Sequence, residues 1–204
     1  MSFWSTLIAS MLGIFLGLVL EQTKFPGKKL VVRVNRTLMG APPVVIGLLT
    51  YMLLRKKGPF GALRWVFTIK GMVAAQVLII TPIVCGMGYS YAVRTAPSIR
   101  AFARTMGADR HQTARLLLRE MKNEIYFAVV SGYGRSISEV GAVFLVGGNI
   151  KNSTRTMTTA ISTLKGAGDY YEGVFLGVIL MLLAFAVQTL AEHFRQEETP
   201  DENL

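Results

Sequence analysis

Stretches without Asp, Glu, Lys or Arg recur along this chain at 2–20, 37–54, 71–93 and 173–191. A membrane-spanning helix needs about 20 mostly apolar residues at 1.5 Å rise, so each stretch predicts a span, the second a short one. A further segment, 125–146, is equally apolar apart from Arg135, Ser138 and Glu139. The pattern therefore predicts an all-α integral membrane protein with about five transmembrane helices, near 2–20, 37–54, 66–91, 125–147 and 173–191. These form one domain over 1–191, followed by a polar tail over 192–204.

Local signals refine these elements. Gly13 and Gly17 form a small-xxx-small pair that lets another helix approach closely. Phe25-Pro26-Gly27-Lys28 breaks the first helix after Glu21 and turns the chain. From Lys28 to Arg36 basic and apolar residues alternate, as in a segment lying at the headgroups. Pro42-Pro43 opens the second span, Gly58-Pro59-Phe60-Gly61 turns it into the third, and Pro82 kinks the third. The first apolar run has no Lys or Arg before it and no small-residue cleavage pattern after it, so it reads as a retained helix.

The loop over 94–124 is patterned like structure. Ser98 is placed to cap a short helix through Ile99, Phe102 and Ala103; Gly107 interrupts it. Asp109 is placed to cap a second helix whose apolar face is Leu116, Leu117, Leu118 and Met121. Small residues at Ala103, Gly107 and Ala108 permit close approach by a partner, and Arg104, Arg110, His111 and Arg115 surround them with donors. The alternative is an amphipathic loop resting on anionic lipid.

Composition agrees with a membrane protein: 51% of residues are hydrophobic, and mean hydropathy is +0.43. The net charge of +10 does not indicate nucleic acid, because the cations lie between spans rather than on one soluble face. They carry topology instead. Loops 21–37 and 94–124 hold 12 Lys and Arg (5 and 7), against 7 in the opposite loops, Arg55, Lys56, Lys57, Arg64, Lys151, Arg155 and Lys165. This excess predicts an external N-terminus and a cytoplasmic C-terminus, although Arg55-Lys56-Lys57 opposes it. Cys85 is the one cysteine, so no intrachain disulfide forms; with only His111 and His193 besides, no metal cage or nucleophile pair is expected. The one Gly-Lys pair, Gly27-Lys28, has Gln22 where a phosphate-binding loop needs its first glycine. Nucleotide must be handled by another polypeptide.

Arg135 and Glu139, four apart, fall on one helical face. Charges at bilayer depth are expensive when unpaired, so this pair should face the bundle interior or water. It is either a buried structural pair or the lining of an anion route. In the second case Ser136 or Ser138 adds donors, Glu139 weakens the grip of Arg135, and Gly132, Gly134 and Gly141 thin the helix beside them. Loop 147–172, with Gly147-Gly148-Asn149 and threonines at 154, 156, 158 and 159, is polar enough to meet an external protein or to fold into a re-entrant turn.

Together these segments resemble the ABC importer permeases. Aligned on Gly107, Ala101-Phe102-Ala103 takes the place of the family's EAA triplet and Leu117 that of its isoleucine. The chain departs at Ala101, Phe102 and Arg119-Glu120. Phe25-Pro26-Gly27, Ala41-Pro42-Pro43-Val44-Val45-Ile46-Gly47 and Gly134-Arg135-Ser136-Ile137-Ser138-Glu139-Val140-Gly141 follow the order seen in molybdate and tungstate permeases. Gly147-Gly148-Asn149-Ile150, Thr154-Arg155 and Thr158-Thr159-Ala160-Ile161 look most like the tungstate branch. The resemblance covers nearly the whole chain, which begins later than is usual there.

It implies a type I importer bundle in the cell (inner) membrane, with the coupling loop at Ala101, Ala103, Arg104, Gly107, Ala108, Asp109, Arg110 and Leu117. The oxyanion pathway would include Arg135, Ser136, Ser138, Glu139, Gly141 and Asn149. It further implies a second copy of the chain, ATP-binding cassette subunits that hold ATP and Mg, and an external substrate-binding protein. This chain would bind no cofactor. An ATP-independent carrier or channel is the reading from another class; an intramembrane enzyme has only Arg135 and Glu139 to rest on.

Overall fold

The computed structural model describes residues 1–197, apart from the side chains of Arg110 and of 191–197. The polar tail expected over 192–204 lies outside the described residues beyond Glu197. Among the described residues nine α-helices follow in order: α1 (Ser2–Gln22), α2 (Lys28–Met39), α3 (Pro43–Leu54), α4 (Ile69–Thr105), α5 (Arg110–Glu120), α6 (Lys122–Ser138), α7 (Gly141–Gly147), α8 (Met157–Ala167) and α9 (Tyr170–Glu197), with a short 3₁₀ turn at Gly61–Leu63. Among the described residues α1, α4 and the Tyr170–Leu190 part of α9 are long and apolar enough to cross a membrane; α2 and α3, bent by 106°, would together supply a fourth span.

The centre of the bundle is α4, 37 residues long and so about 55 Å at 1.5 Å per residue. Helix α1 runs parallel to it. Ser5 meets Gln76 near one end, Gly13 lies against Val84 and Cys85 midway, and Glu21 meets Arg100 near the other. The two glycines do what their spacing predicts: a Cβ on Gly13 would come within 2.8 Å of the Val84 Cβ, and one on Gly17 within 2.9 Å of the Cys85 carbonyl. Because α1 and α4 are parallel, their basic C-terminal flanks emerge on the same side.

Helix α6 returns antiparallel, with Gly132 facing Ile80 and Val84 and the Ser136 carbonyl facing Gln76. Three apolar clusters hold the bundle: Leu54, Ala75, Ile79, Ala142 and Val146 at the α3–α4–α7 end; Ala9, Ile80, Val84 and Ala128 in the middle; Ala92, Ala96, Ile99, Leu117 and Met121 at the loop end.

Two expectations are corrected. No separate helix begins at Ser98: α4 continues through both Pro82 and Pro97 to Thr105, and the Ser98 hydroxyl bonds the Thr95 carbonyl within it. Pro97 is exposed, so the carbonyl that loses its donor can be hydrated rather than stranded in a core. The basic and apolar segment 28–36 is helical, as part of α2. The stretch 125–147 is broken between α6 and α7, where the α6 C-cap Glu139 is extended at φ −74°, ψ 121°; Arg135 in the last turn of α6 and Glu139 still meet four residues apart.

Candidate functional site

Helix α4 ends at the loop with its backbone groups satisfied locally. The Ala103 carbonyl accepts from the Ala108 N–H at 2.9 Å, and the Arg104 carbonyl from the Gly107 N–H at 3.1 Å. This is the Schellman closure, which wants a left-handed residue after the cap; Gly107 supplies φ +68°. Helix α5 then starts from a capping box: Asp109 Oδ1 accepts from the Gln112 N–H at 2.7 Å, and Gln112 Oε1 accepts from the Asp109 N–H at 2.9 Å. The expected Asp109 cap is present. Both helix ends are thus closed without help from a partner.

The eight candidate loop residues divide by role. Ala103 and Leu117 are buried, and Leu117 packs among Ala92, Ala96 and Ile99 to tie α5 onto α4. Ala101, Arg104, Gly107 and Asp109 are exposed, and Ala108 is half-buried. Arg110 opens α5. Among the described residues no atom lies within 4 Å of where a Gly107 Cβ would stand. Beside it, Phe102 is 58% exposed and Met106 71%, two large apolar side chains without cover on a charged loop. Exposed apolar area of this kind, rimmed by polar groups, marks an interaction surface.

A feature missed in the sequence braces this loop. Arg100 grips both carboxylate oxygens of Glu21, with Nη1 to Oε1 at 2.9 Å, and the Glu21 side chain is only 7% exposed. Paired forks of this sort are directional as well as strong. Lys28 donates to the Glu21 and Thr23 carbonyls at 3.1 and 3.0 Å and closes the end of α1. The signal was available: Glu21 is the sole acid before Asp109, amid many cations.

At the opposite end, Glu139 is buried while Arg135 is 40% exposed along its side chain; Nη2 and Oε2 are 3.9 Å apart. The nearer partner of Glu139 is backbone. Its Oε1 accepts the Ala142 N–H at 3.0 Å in the first turn of α7, and its main-chain carbonyl accepts from the Thr158 hydroxyl at 3.2 Å. Ser136 is buried in a polar relay: its hydroxyl lies 3.2 Å from that of Ser5, Ser5 donates to Gln76 Oε1 at 2.7 Å, and Gln76 Nε2 donates to the Ser136 carbonyl at 2.9 Å. Ser138 is exposed and bonds back to the Gly134 and Arg135 carbonyls.

Gly141 sits against Val44. Asn149, at φ +50°, donates to the Thr163 hydroxyl, and its Oδ1 is buried without a partner. A cleft of about 410 Å³ opens beside Glu139, Ser136, Tyr133 and Thr158, walled by Leu180 and Leu183 of α9. The structure thus brings Ser136 and Glu139 to one cleft and leaves Asn149 in the following loop, itself ordered by a Thr156–Thr159 capping box at α8. Among the described residues no group of three His, Cys, Asp or Glu could hold a metal ion.

Residues 9–197 match the family described as the binding-protein-dependent transport system inner membrane component. The chain belongs to this family of ABC importer permeases. Within it, the chain is 36% identical to the tungstate uptake system permease protein TupB of Peptoclostridium acidaminophilum over 193 residues, covering 95% of this chain and 85% of that one. It is 37% identical to a probable anion ABC transporter permease protein of Haloferax volcanii over 202 residues, 96% and 86% of the two chains. Similarity extends to the sulfate transport system permease protein CysT of Escherichia coli, at 24% over 95% of this chain and 74% of that one. Membership makes this chain a membrane-embedded component of a transport system served by a binding protein.

Proposed function

We propose that this chain is the membrane subunit of a tungstate importer. The observation that carries the substrate is the 36% identity to a tungstate permease along 95% of the chain. The sulfate relatives favour a second reading, a different tetrahedral dianion through the same bundle, at lower identity. ATP and Mg belong to separate cassette subunits; this chain binds neither and performs no hydrolysis. Two copies pair in the membrane, an external protein delivers the ion, and the side bearing 21–37 and 94–124 is cytoplasmic, which leaves the N-terminus outside.

Closure of the cassette subunits moves the loop around Ala101, Ala103, Arg104, Gly107, Ala108, Asp109, Arg110 and Leu117. Phe102 and Met106 supply the apolar contact. The bundle alternates, and the ion passes Arg135, Ser138, Glu139, Gly141 and Asn149, with Ser136 steadying the wall from behind. Arg135 attracts the dianion, and Glu139 keeps the site weak enough to release it.

The test is cellular tungsten content, by elemental mass spectrometry, in cells lacking this chain and in cells given it back. Restored accumulation that is lost in Gly107→Asp, with the variant still in the membrane and cassette subunits no longer co-purifying, supports the whole reading. Normal uptake by Gly107→Asp removes the coupling assignment. Equal suppression by excess molybdate or sulfate reduces the substrate to a tetrahedral dianion. Uptake by liposomes holding this chain alone would make it a carrier.

A further inference from the structure

Helix α2 presents three faces. Val32, Asn35 and Met39 are half-buried against α4, where Asn35 Nδ2 donates to the Pro82 carbonyl at 3.1 Å and Met39 lies over Gly86. Lys29, Arg33 and Arg36, at i, i+4 and i+7, share a second face. Leu30, Val34 and Leu38, with Val31, share the third, opposite the cations, and are 63, 49, 41 and 41% exposed. A helix with one charged face and one apolar face, held sideways by a neighbour, lies in the plane of a membrane surface.

Its depth fits that placement. From Ile69 to Tyr89, α4 rises about 30 Å, the thickness of a bilayer's hydrocarbon core. Tyr89 then stands at the boundary on the coupling-loop side, where amphipathic aromatic rings concentrate. It lines a cleft of about 770 Å³ with Lys24, Lys28, Lys29, Arg33 and Arg36. Lys28 Nζ sits 5.7 Å from the centre of the Tyr89 ring. No carboxylate lines the cleft, and Glu21, the nearest acid along the chain, is held by Arg100. Among the described residues Lys24, Lys29, Arg33 and Arg36 have no ion pair.

We propose that the α2 cleft holds the phosphate of an anionic phospholipid, with Lys24, Lys29, Arg33 and Arg36 around the headgroup and Leu30, Val34 and Leu38 among its acyl chains. The cleft lies at the bilayer boundary marked by Tyr89, where phospholipid headgroups are already concentrated and Leu30, Val34 and Leu38 meet acyl chains, which is why the lipid is the better occupant than a free oxyanion. Basic pockets at the ends of transmembrane helices draw such headgroups electrostatically. The site is independent of the cargo: it requires only that the chain sit in a bilayer.

The experiment is native mass spectrometry of the full chain in neutral detergent, titrated with phosphatidylglycerol or phosphatidylcholine. The first phosphatidylglycerol should be retained at about a tenth of the phosphatidylcholine concentration. The triple variant Lys29→Gln, Arg33→Gln, Arg36→Gln should bring the two lipids to parity, whereas Arg33→Lys with Arg36→Lys keeps the preference. Lys56→Gln with Lys57→Gln, on the opposite loop, should leave it unchanged.

Millimolar tungstate or phosphate should not displace the lipid. Equal retention of both lipids by the unmodified chain would overturn the proposal even if the triple variant fails to fold. So would a preference that the folded triple variant retains. Displacement by either free anion would convert the cleft into a soluble-anion site and overturn the lipid assignment.

Discussion

Two interruptions of the helical bundle, at Gly107 and at Glu139–Val140, solve the same problem in opposite ways. At Gly107 the free backbone groups are closed by neighbouring backbone and by the reciprocal Asp109–Gln112 cap, with only solvent nearby. At Glu139 the free N–H of Ala142 is met by a buried carboxylate, and the carbonyl by a threonine from α8, 19 residues on. The first break is self-sufficient and turns its side chains outward. The second adds to a local cap a partner from another helix, and turns a charge inward. A loop that holds its shape alone can be pushed as a unit; a break held in part by another helix is linked to it.

Substitutions should separate the two. Glu139→Leu removes the cap of a buried N–H and the partner of Arg135, and should lower stability by about 3 kcal/mol, read as a fall in Tm of the detergent-purified chain; Glu139→Gln, which can still accept from Ala142, should recover about half of that loss. Gly47→Val places a Cβ 2.5 Å from Ala142 Cα where α3 crosses α7, and should destabilise the same end by about 2 kcal/mol through overpacking.

At the other break effects are smaller. Asp109→Ala should cost about 1 kcal/mol by uncapping α5, with proteolysis between 105 and 112 accelerated and the far end unaffected. Gly107→Ala strains a left-handed residue by about 1 kcal/mol, and Gly107→Asn by a few tenths; since nothing crowds the site, a larger loss of transport than of Tm in Gly107→Asn would locate its role in partner contact. If Asp109→Ala instead lowers Tm as far as Glu139→Leu does, the contrast between the ends fails.

The sequence made some of this legible and hid the rest for identifiable reasons. Uncharged runs reported α1, α4 and α9 because composition alone decides whether a helix can enter lipid. Asp109 and Gly107 were readable because caps and left-handed turns are local. The continuity of α4 through Pro97 was not, since a proline breaks a helix only where its freed carbonyl has no other recourse, and Pro97 faces outward. The break at Glu139 was hidden because one of its partners, Thr158, comes from another helix 19 residues on and is set by tertiary packing. Ser136 reads as a donor along the chain, yet its hydroxyl is taken up by Ser5 of another helix.

The length of α4 has a mechanical consequence. One end carries Gln76 and the Ser136 relay, the other the Gly107 turn, and the helix is continuous over 37 residues through Pro82 and Pro97. Pivoted at the Gly13 and Gly17 contacts, midway along the helix, each half is an arm of about 28 Å, and a swing of about 5° moves its tip by about 2 Å. On the coupling proposed for the loop, a push there would need no relay of rearranging side chains: it would reach the far wall as a rotation about the Gly13 and Gly17 contacts.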